Sequence, residues 1–393
     1  MANLAGLSFL FCVYLYKISS LYAGAFFLLM ASIFTIGLNK KEGPLMVSLP
    51  SLLLAILVIV NLINYITLPS FTKDISYYLR CIQGYVYLTL ISNISFILRK
   101  FPLVNRPSRK ITSLLLFYFP LLYLFFYLRS SIGSDRASWL FEHNFELVYL
   151  NILLLIAITY NNSPLSLFSS SILRKYFWIQ GLLFSILSLS LSGFLGYCTI
   201  LFATLFKNFK FLINNITILI YTVFRQKYAY FLILIVGISF YIVYLYVNSA
   251  RGGVVGLDRS SYWGAYTQLD GINIVFGNGI GSIMPETSSK SLLLQSNLRG
   301  LLDSNNEATS LLLHSAILRI FFDTGIIGFL IVFWNMISIF RNIPSYTSVP
   351  IICVFMISGL SVGSFFNPLG AFSMMLAVIY IVGFAHLLFH EEY

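Results

Sequence analysis

Charge is what this sequence has least of. Only 9% of its 393 residues are Asp, Glu, Lys or Arg, while 59% are hydrophobic. A water-soluble fold of this size needs a polar surface that such a composition cannot supply, so soluble enzymes and soluble binding domains are excluded. Cysteine is sparse too. Cys12, Cys81, Cys198 and Cys353 all fall inside apolar runs, with no CxxC pair and no histidine at ligand spacing. They read as packing residues, which excludes a disulfide framework and a cysteine–histidine metal site. The first apolar run lacks a charged n-region and a small-residue cleavage site, so it is expected to be a span and not a cleaved leader. The short alternating segments of a β-barrel are missing. So is the internal repeat carried by many transporters. No glycine cluster is followed by GKS or GKT, which excludes a P-loop. Alanine is scarce beside Phe, Tyr, Leu and Ile, a bias that fits helices packed by large side chains in lipid.

What remains is a series of apolar runs. A spanning helix takes about 20 apolar residues, and the runs predict spans at 4–20, 22–38, 45–66, 77–98, 111–128, 144–160, 176–190, 191–206, 228–247, 311–332, 346–364 and 371–389. The expected fold is an all-α polytopic membrane protein with about twelve transmembrane helices. Its parts are an N-terminal bundle over 1–247, one long outward loop over 248–310 and a C-terminal set of helices over 311–393. Basic residues crowd every second loop: Lys40 and Lys41; Arg99, Lys100, Arg106, Arg109 and Lys110; Arg174 and Lys175; Lys207 and Lys210. Because Lys and Arg stay on the cytoplasmic side, both termini are expected there and the 129–143 and 248–310 loops outside. The apolar segment 211–224 is short and has cations at both ends, so it reads as an interfacial or re-entrant helix. In this arrangement the fourteen cytoplasmic Lys/Arg less Glu42, Glu391 and Glu392 equal the entire net charge of +11. Topology therefore accounts for the basicity, and nucleic-acid binding is rejected.

Polar residues stand out against this background. Arg80 lies about one turn inside the fourth span, where it either snorkels to headgroups or faces the bundle as a phosphate ligand. Arg136 sits in a short outward loop with Asp135 and Glu142; it either pairs with one of them or walls a binding cleft. The serines and Gly193 in 185–197 interrupt two short runs, as a helix break facing a cavity or as small-residue packing. The long polar stretch carries Arg251, Gly252, Gly253, Gly256, Arg259 and Trp263, a pattern in which glycines allow close backbone approach and arginine forks suit phosphate oxygens. Its GNGIG segment, 277–281, reads as a flexible turn. His314 opens the tenth span and has the one side chain here that titrates near neutrality when unperturbed. Arg319 and Asp323 follow on the same helix, where charge is costly and usually turned to a functional interior.

These residues resemble the membrane glycosyltransferases that comprise the O-antigen polymerases and O-antigen ligases. The family's histidine signature is matched by His314, Ser315, Gly325 and Gly328. LDRSSYWGAYTQLDGINIVFGNGIG is similar to the family's arginine–tryptophan segment with its glycine-rich turn, and DRASWLFEHNFELVYL to its first arginine loop. Where ligases carry an arginine at the broken span, this chain has LSLSLSGFLGY and no cation, which favours a polymerase. The resemblance implies a GT-C-like fold in a bacterial inner membrane, with the active site facing the periplasm. It also implies an undecaprenyl-diphosphate-linked oligosaccharide as donor, no nucleotide sugar, no cofactor and no metal; the absence of a DxD motif from the outward loops agrees. The implied catalytic residues are His314, as general base, and Arg259. Arg80, Arg136, Arg251, Arg319 and Trp263 would bind diphosphate or glycan, and a chain-length regulator is a further partner to expect. The alternatives are a ligase transferring glycan to lipid A core and, in another class, a lipid-linked oligosaccharide flippase or other transporter.

Overall fold

Apolar runs of this length can satisfy their backbone groups in lipid only as helices, and helix is almost all that is found. The computed structural model describes residues 1–39, 47–72, 74–122, 125, 148–161, 176–183, 191–205, 271–284, 315–361 and 364–389. In chain order the elements are α1 (Ala2–Ile18), α2 (Ser20–Asn39), α3 (Leu49–Thr67), α4 (Ile75–Lys100) and a short α5 (Arg109–Ser113) that widens into a π turn over Leu114–Tyr118. Then come α6 (Val148–Asn161), α7 (Leu191–Leu205), the short α8 (Gly271–Phe276), α9 (Ala316–Ile339) and α10 (Ser345–Ser361). A 3-10 turn, Ser364–Phe366, leads to α11 (Pro368–Ala377), a π turn over Val378–Val382 and α12 (Ala385–Leu388). Residues 176–183 are helical as well. Among the described residues, α2, α3, α4 and α9 are long and apolar enough to cross a membrane; α1, α6, α10 and Pro368–Val382 are shorter apolar helices. These helices are compatible with a membrane protein.

Caps set the boundaries that hydrophobicity alone left loose. Ser48 accepts the Ser51 N–H at 3.3 Å, and Pro50 occupies the first turn, so α3 begins at Leu49 and not at 45. Asp74 accepts from the backbone of Ser76 at 2.9 Å and of Tyr77 at 3.3 Å, which starts α4 at Ile75 and gives it 26 residues. The span expected over 311–332 is displaced: Ser315 caps α9, and the helix runs on to Ile339. Asn367 caps α11 through the Leu369 N–H at 2.8 Å. The span expected at 228–247 and the segment 211–224 lie outside the described residues.

The core centres on α11. Every residue from Pro368 to Val382 is buried, as a helix that is apolar on all sides requires. α1, α2, α4 and α6 pack around it. Phe372 meets Phe27 edge-on at 5.5 Å and Phe9 at 6.2 Å, a favoured ring geometry. The few hydroxyls here bond to main chain: Tyr380 donates to the Ala2 carbonyl at 3.1 Å, and Tyr160 to the Tyr380 carbonyl at 2.8 Å. The seam of α3, α4 and α9 is more polar. Ser51 donates to Asn93 Oδ1 at 2.7 Å and Asn335 Nδ2 to the Pro50 carbonyl at 2.7 Å, the side-chain bonding that holds helices together where lipid gives no hydrophobic drive.

Candidate functional site

One turn separates Arg319 from Asp323 on α9, and both are buried, at 6% and 0% exposure. Ionisable groups in that position must be held by specific partners. Arg319 Nη2 donates to the main-chain carbonyls of Arg80 at 3.2 Å and Cys81 at 3.4 Å on α4. Its guanidinium lies 4.2 Å from the centroid of the Phe366 ring, close enough for a cation–π contact. Phe366 is itself fixed: Gln83 Nε2 donates to its carbonyl at 2.8 Å, and its ring fills the space where a side chain at residue 84 would stand. Gly84 is thus required by close approach and not by its backbone angles. Tyr85, the next residue, meets the Phe366 ring edge-on at 5.1 Å and donates its hydroxyl to Asp323 Oδ2 at 3.2 Å. The buried Nε–H of Arg319 has no acceptor among the described residues. A guanidinium with an unspent donor is suited to an oxyanion.

Below this cluster α9 breaks. Gly325 has φ 62° and ψ −163° inside the helix. The main-chain carbonyls of Phe322 and Asp323 instead accept the N–H groups of Asn278, at 2.8 Å, and Gly279, at 2.9 Å. Gly277 and Gly325 pack backbone to backbone: a methyl on Gly277 would overlap Asp323 and Thr324, and one on Gly325 would overlap Val275. On its other side the loop is tied to α3 and the α3–α4 link. The Ile280 N–H donates to Asn61 Oδ1 at 2.7 Å, the Thr72 N–H to the Gly281 carbonyl at 3.1 Å and the Ile283 N–H to the Ser70 carbonyl at 3.0 Å.

Two sequence expectations are corrected by this geometry. GNGIG is a built loop with left-handed glycines at 277, 279 and 281, not merely a flexible turn. The tenth span, expected to be continuous, carries the helix break. Of the break expected in 185–197, only the part from Leu191 on is described, and it is helical: Gly193 lies in the first turn of α7, where its carbonyl accepts Asn151 Nδ2 at 2.9 Å. Residues 184–190 lie outside the described residues.

Of the predicted site residues, Arg319 is in the cluster. Arg80 contributes only its carbonyl; its side chain is exposed, 5.6 Å from the Tyr77 ring. His314 immediately precedes the Ser315 cap of α9 but, with Arg136, Arg251, Arg259 and Trp263, lies outside the described residues. Sequence reasoning passed over Tyr85, Gln83, Gly84 and Phe366. A usable signal existed for the first three, since RCIQGY places a glutamine, a glycine and an arginine together in an otherwise apolar helix.

No family model, no curated protein and no solved structure matches this chain. The resemblance to the O-antigen enzymes therefore rests on the motifs quoted above.

Proposed function

We propose that this protein is a membrane glycosyltransferase of the O-antigen polymerase type. It would transfer a growing glycan from undecaprenyl diphosphate to the non-reducing-end sugar of a new lipid-linked repeat unit, at the periplasmic face of the inner membrane. The proposal includes the twelve-span topology with both termini cytoplasmic and the long loop outside. The observation that supports it best is Arg319: a buried, positioned guanidinium with an unspent donor, five residues beyond His314 on the helix that carries the family's histidine signature. In the proposed step His314 takes the proton of the acceptor hydroxyl as that oxygen attacks the anomeric carbon. The bond from that carbon to the diphosphate oxygen breaks, and the electron pair leaves with the lipid diphosphate. Direct displacement inverts the anomeric centre. General-base assistance contributes about 10²–10⁴-fold in rate. Arginines preorganised in a low-dielectric site stabilise the departing charge; Arg259 is the first choice, with Arg251, Arg136, Arg80 and Arg319 around it.

His314→Ala should abolish long-chain polysaccharide on a gel while the protein still inserts. A ladder of wild-type length from that variant sinks the reading. Arg319→Lys should lose most polymerisation, because a compact ammonium reproduces neither the two carbonyl bonds nor the packing on Phe366; wild-type ladders there would leave Arg319 a structural residue.

The broken α9 favours a second reading, a transporter or flippase, since interrupted helices with charges beside the break commonly line transport sites. A deletion strain separates the classes. Loss of a polymerase leaves one repeat unit on the lipid core, loss of a ligase leaves none there, and loss of a flippase strands unpolymerised precursor inside.

A further inference from the structure

Residues 271–285 form an uncharged stretch, GINIVFGNGIGSIMP, between Asp270 and Glu286. Its α8 is too short to cross anything, and its apolar side chains are not packed away: Ile272 is 76% and Phe276 65% exposed. In water such a surface would be unfavourable. Its depth explains it. The loop after α8 is bonded to Phe322 and Asp323, and Val275 touches Gly325. Gly325 is nine residues into α9, which at the rise of an α-helix places it roughly 14 Å from the start of that helix. The hydrocarbon core is about 30 Å thick. The other end of the loop pairs with Ser70 and Thr72, in the link between the ends of α3 and α4. From Val275, level with Gly325, the chain thus returns to the level of that link. At the level of Gly325 its neighbours on α9, Ile326 and Ile327, are also exposed and apolar.

We infer that residues 271–283 are a re-entrant hairpin within the segment expected as an outward loop, and that α8 lies among acyl chains, those of the outer leaflet on the topology proposed above, with lipid as the occupant of its exposed face. Three features carry this. The loop that directly follows α8 is seated by backbone hydrogen bonds at mid-depth of a helix able to span a membrane; the exposed side chains of α8 are all apolar; and its surface continues that of α9. Irregular backbone is tolerated at this depth only where protein covers it. Here the N–H groups of Asn278, Gly279 and Ile280 are all spent on α9 and α3.

The test uses the full-length protein in phospholipid vesicles, with the four native cysteines replaced by alanine and one nitroxide attached through Phe276→Cys or, separately, Ile272→Cys. Power saturation then compares dissolved oxygen, which concentrates in lipid, with a water-soluble nickel chelate. Ile326→Cys serves as the lipid reference. Val104→Cys, at an 82% exposed position between α4 and α5, serves as the water reference. The expected result at either position is the oxygen access of residue 326 with loss of nickel access. Nickel access equal to that of residue 104 overturns the inference, and so does screening from both reagents, which would mean that protein covers α8. Either variant gives the answer alone if the other fails to insert. The readout is independent of polysaccharide synthesis, so a chain without that activity leaves it standing.

Discussion

The α11 core and the α4–α9 seam are built from the same apolar alphabet and held in different ways. Around α11, burial is complete and the contacts are rings and aliphatic chains. Among the described residues, the side-chain hydrogen bonds there are few: the tyrosine hydroxyls, the Asn367 cap, and Ser373, which donates to the Leu369 carbonyl. At the seam a guanidinium is held by two α4 carbonyls, a phenol donates to a carboxyl group, and the glycine loop bonds the main chain beside the helix break, each through specific partners. Shape-filling tolerates substitution because dispersion contacts are many and small. A buried polar network does not, because losing one partner leaves another unsatisfied. Function in a membrane is concentrated in the second kind of region.

The largest difference should appear at glycines. Gly325→Val forces a β-branched residue to φ 62° and drives its side chain into the Val275 backbone. The torsion alone costs about 1–3 kcal/mol, and the overlap adds to it. The expected outcome is loss of monodisperse protein on size exclusion in detergent. A folded Gly325→Val protein would mean that the junction of α9 with the glycine loop is dispensable.

An intermediate effect is expected at Tyr85. Tyr85→Phe keeps the ring against Phe366 but withdraws the hydroxyl from Asp323, at a cost of about 1–3 kcal/mol for a buried group that loses a partner. Thermal unfolding in detergent should register it, and polysaccharide chains should shorten if the cluster serves the reaction.

The smallest effect belongs to the core. Met375→Leu on α11 conserves volume at a fully buried position and should cost less than about 1.5 kcal/mol. If it proved as damaging as Tyr85→Phe, the contrast between shape-filled and network-held regions would collapse.

Much of the fold was legible beforehand. The first four spans were expected within a few residues of α1 to α4, because a 20-residue apolar run in lipid has one way to satisfy its backbone. The ends of α3, α4 and α9 were not, because Ser48, Asp74 and Ser315 act through one or two capping bonds each, which hydrophobicity does not register. At the site, Arg319 and Asp323 were legible as charges inside an apolar run. Their partners were not: Tyr85 is 238 positions away from Asp323 in the chain and Phe366 is an ordinary phenylalanine by composition. The glycines of 277–281 and Gly325 were each visible, yet no local pattern says that two left-handed turns meet.

The amino-acid sequence by itself determined that this chain is helical and apolar, and which few polar residues have to be accommodated, since these follow from the cost of bringing charge and unpaired backbone into hydrocarbon. Tertiary structure alone decided which of those residues meet. A hydrogen bond depends on distance and direction to within a fraction of an ångström, and only the packing of α4, α9 and the glycine loop supplies that.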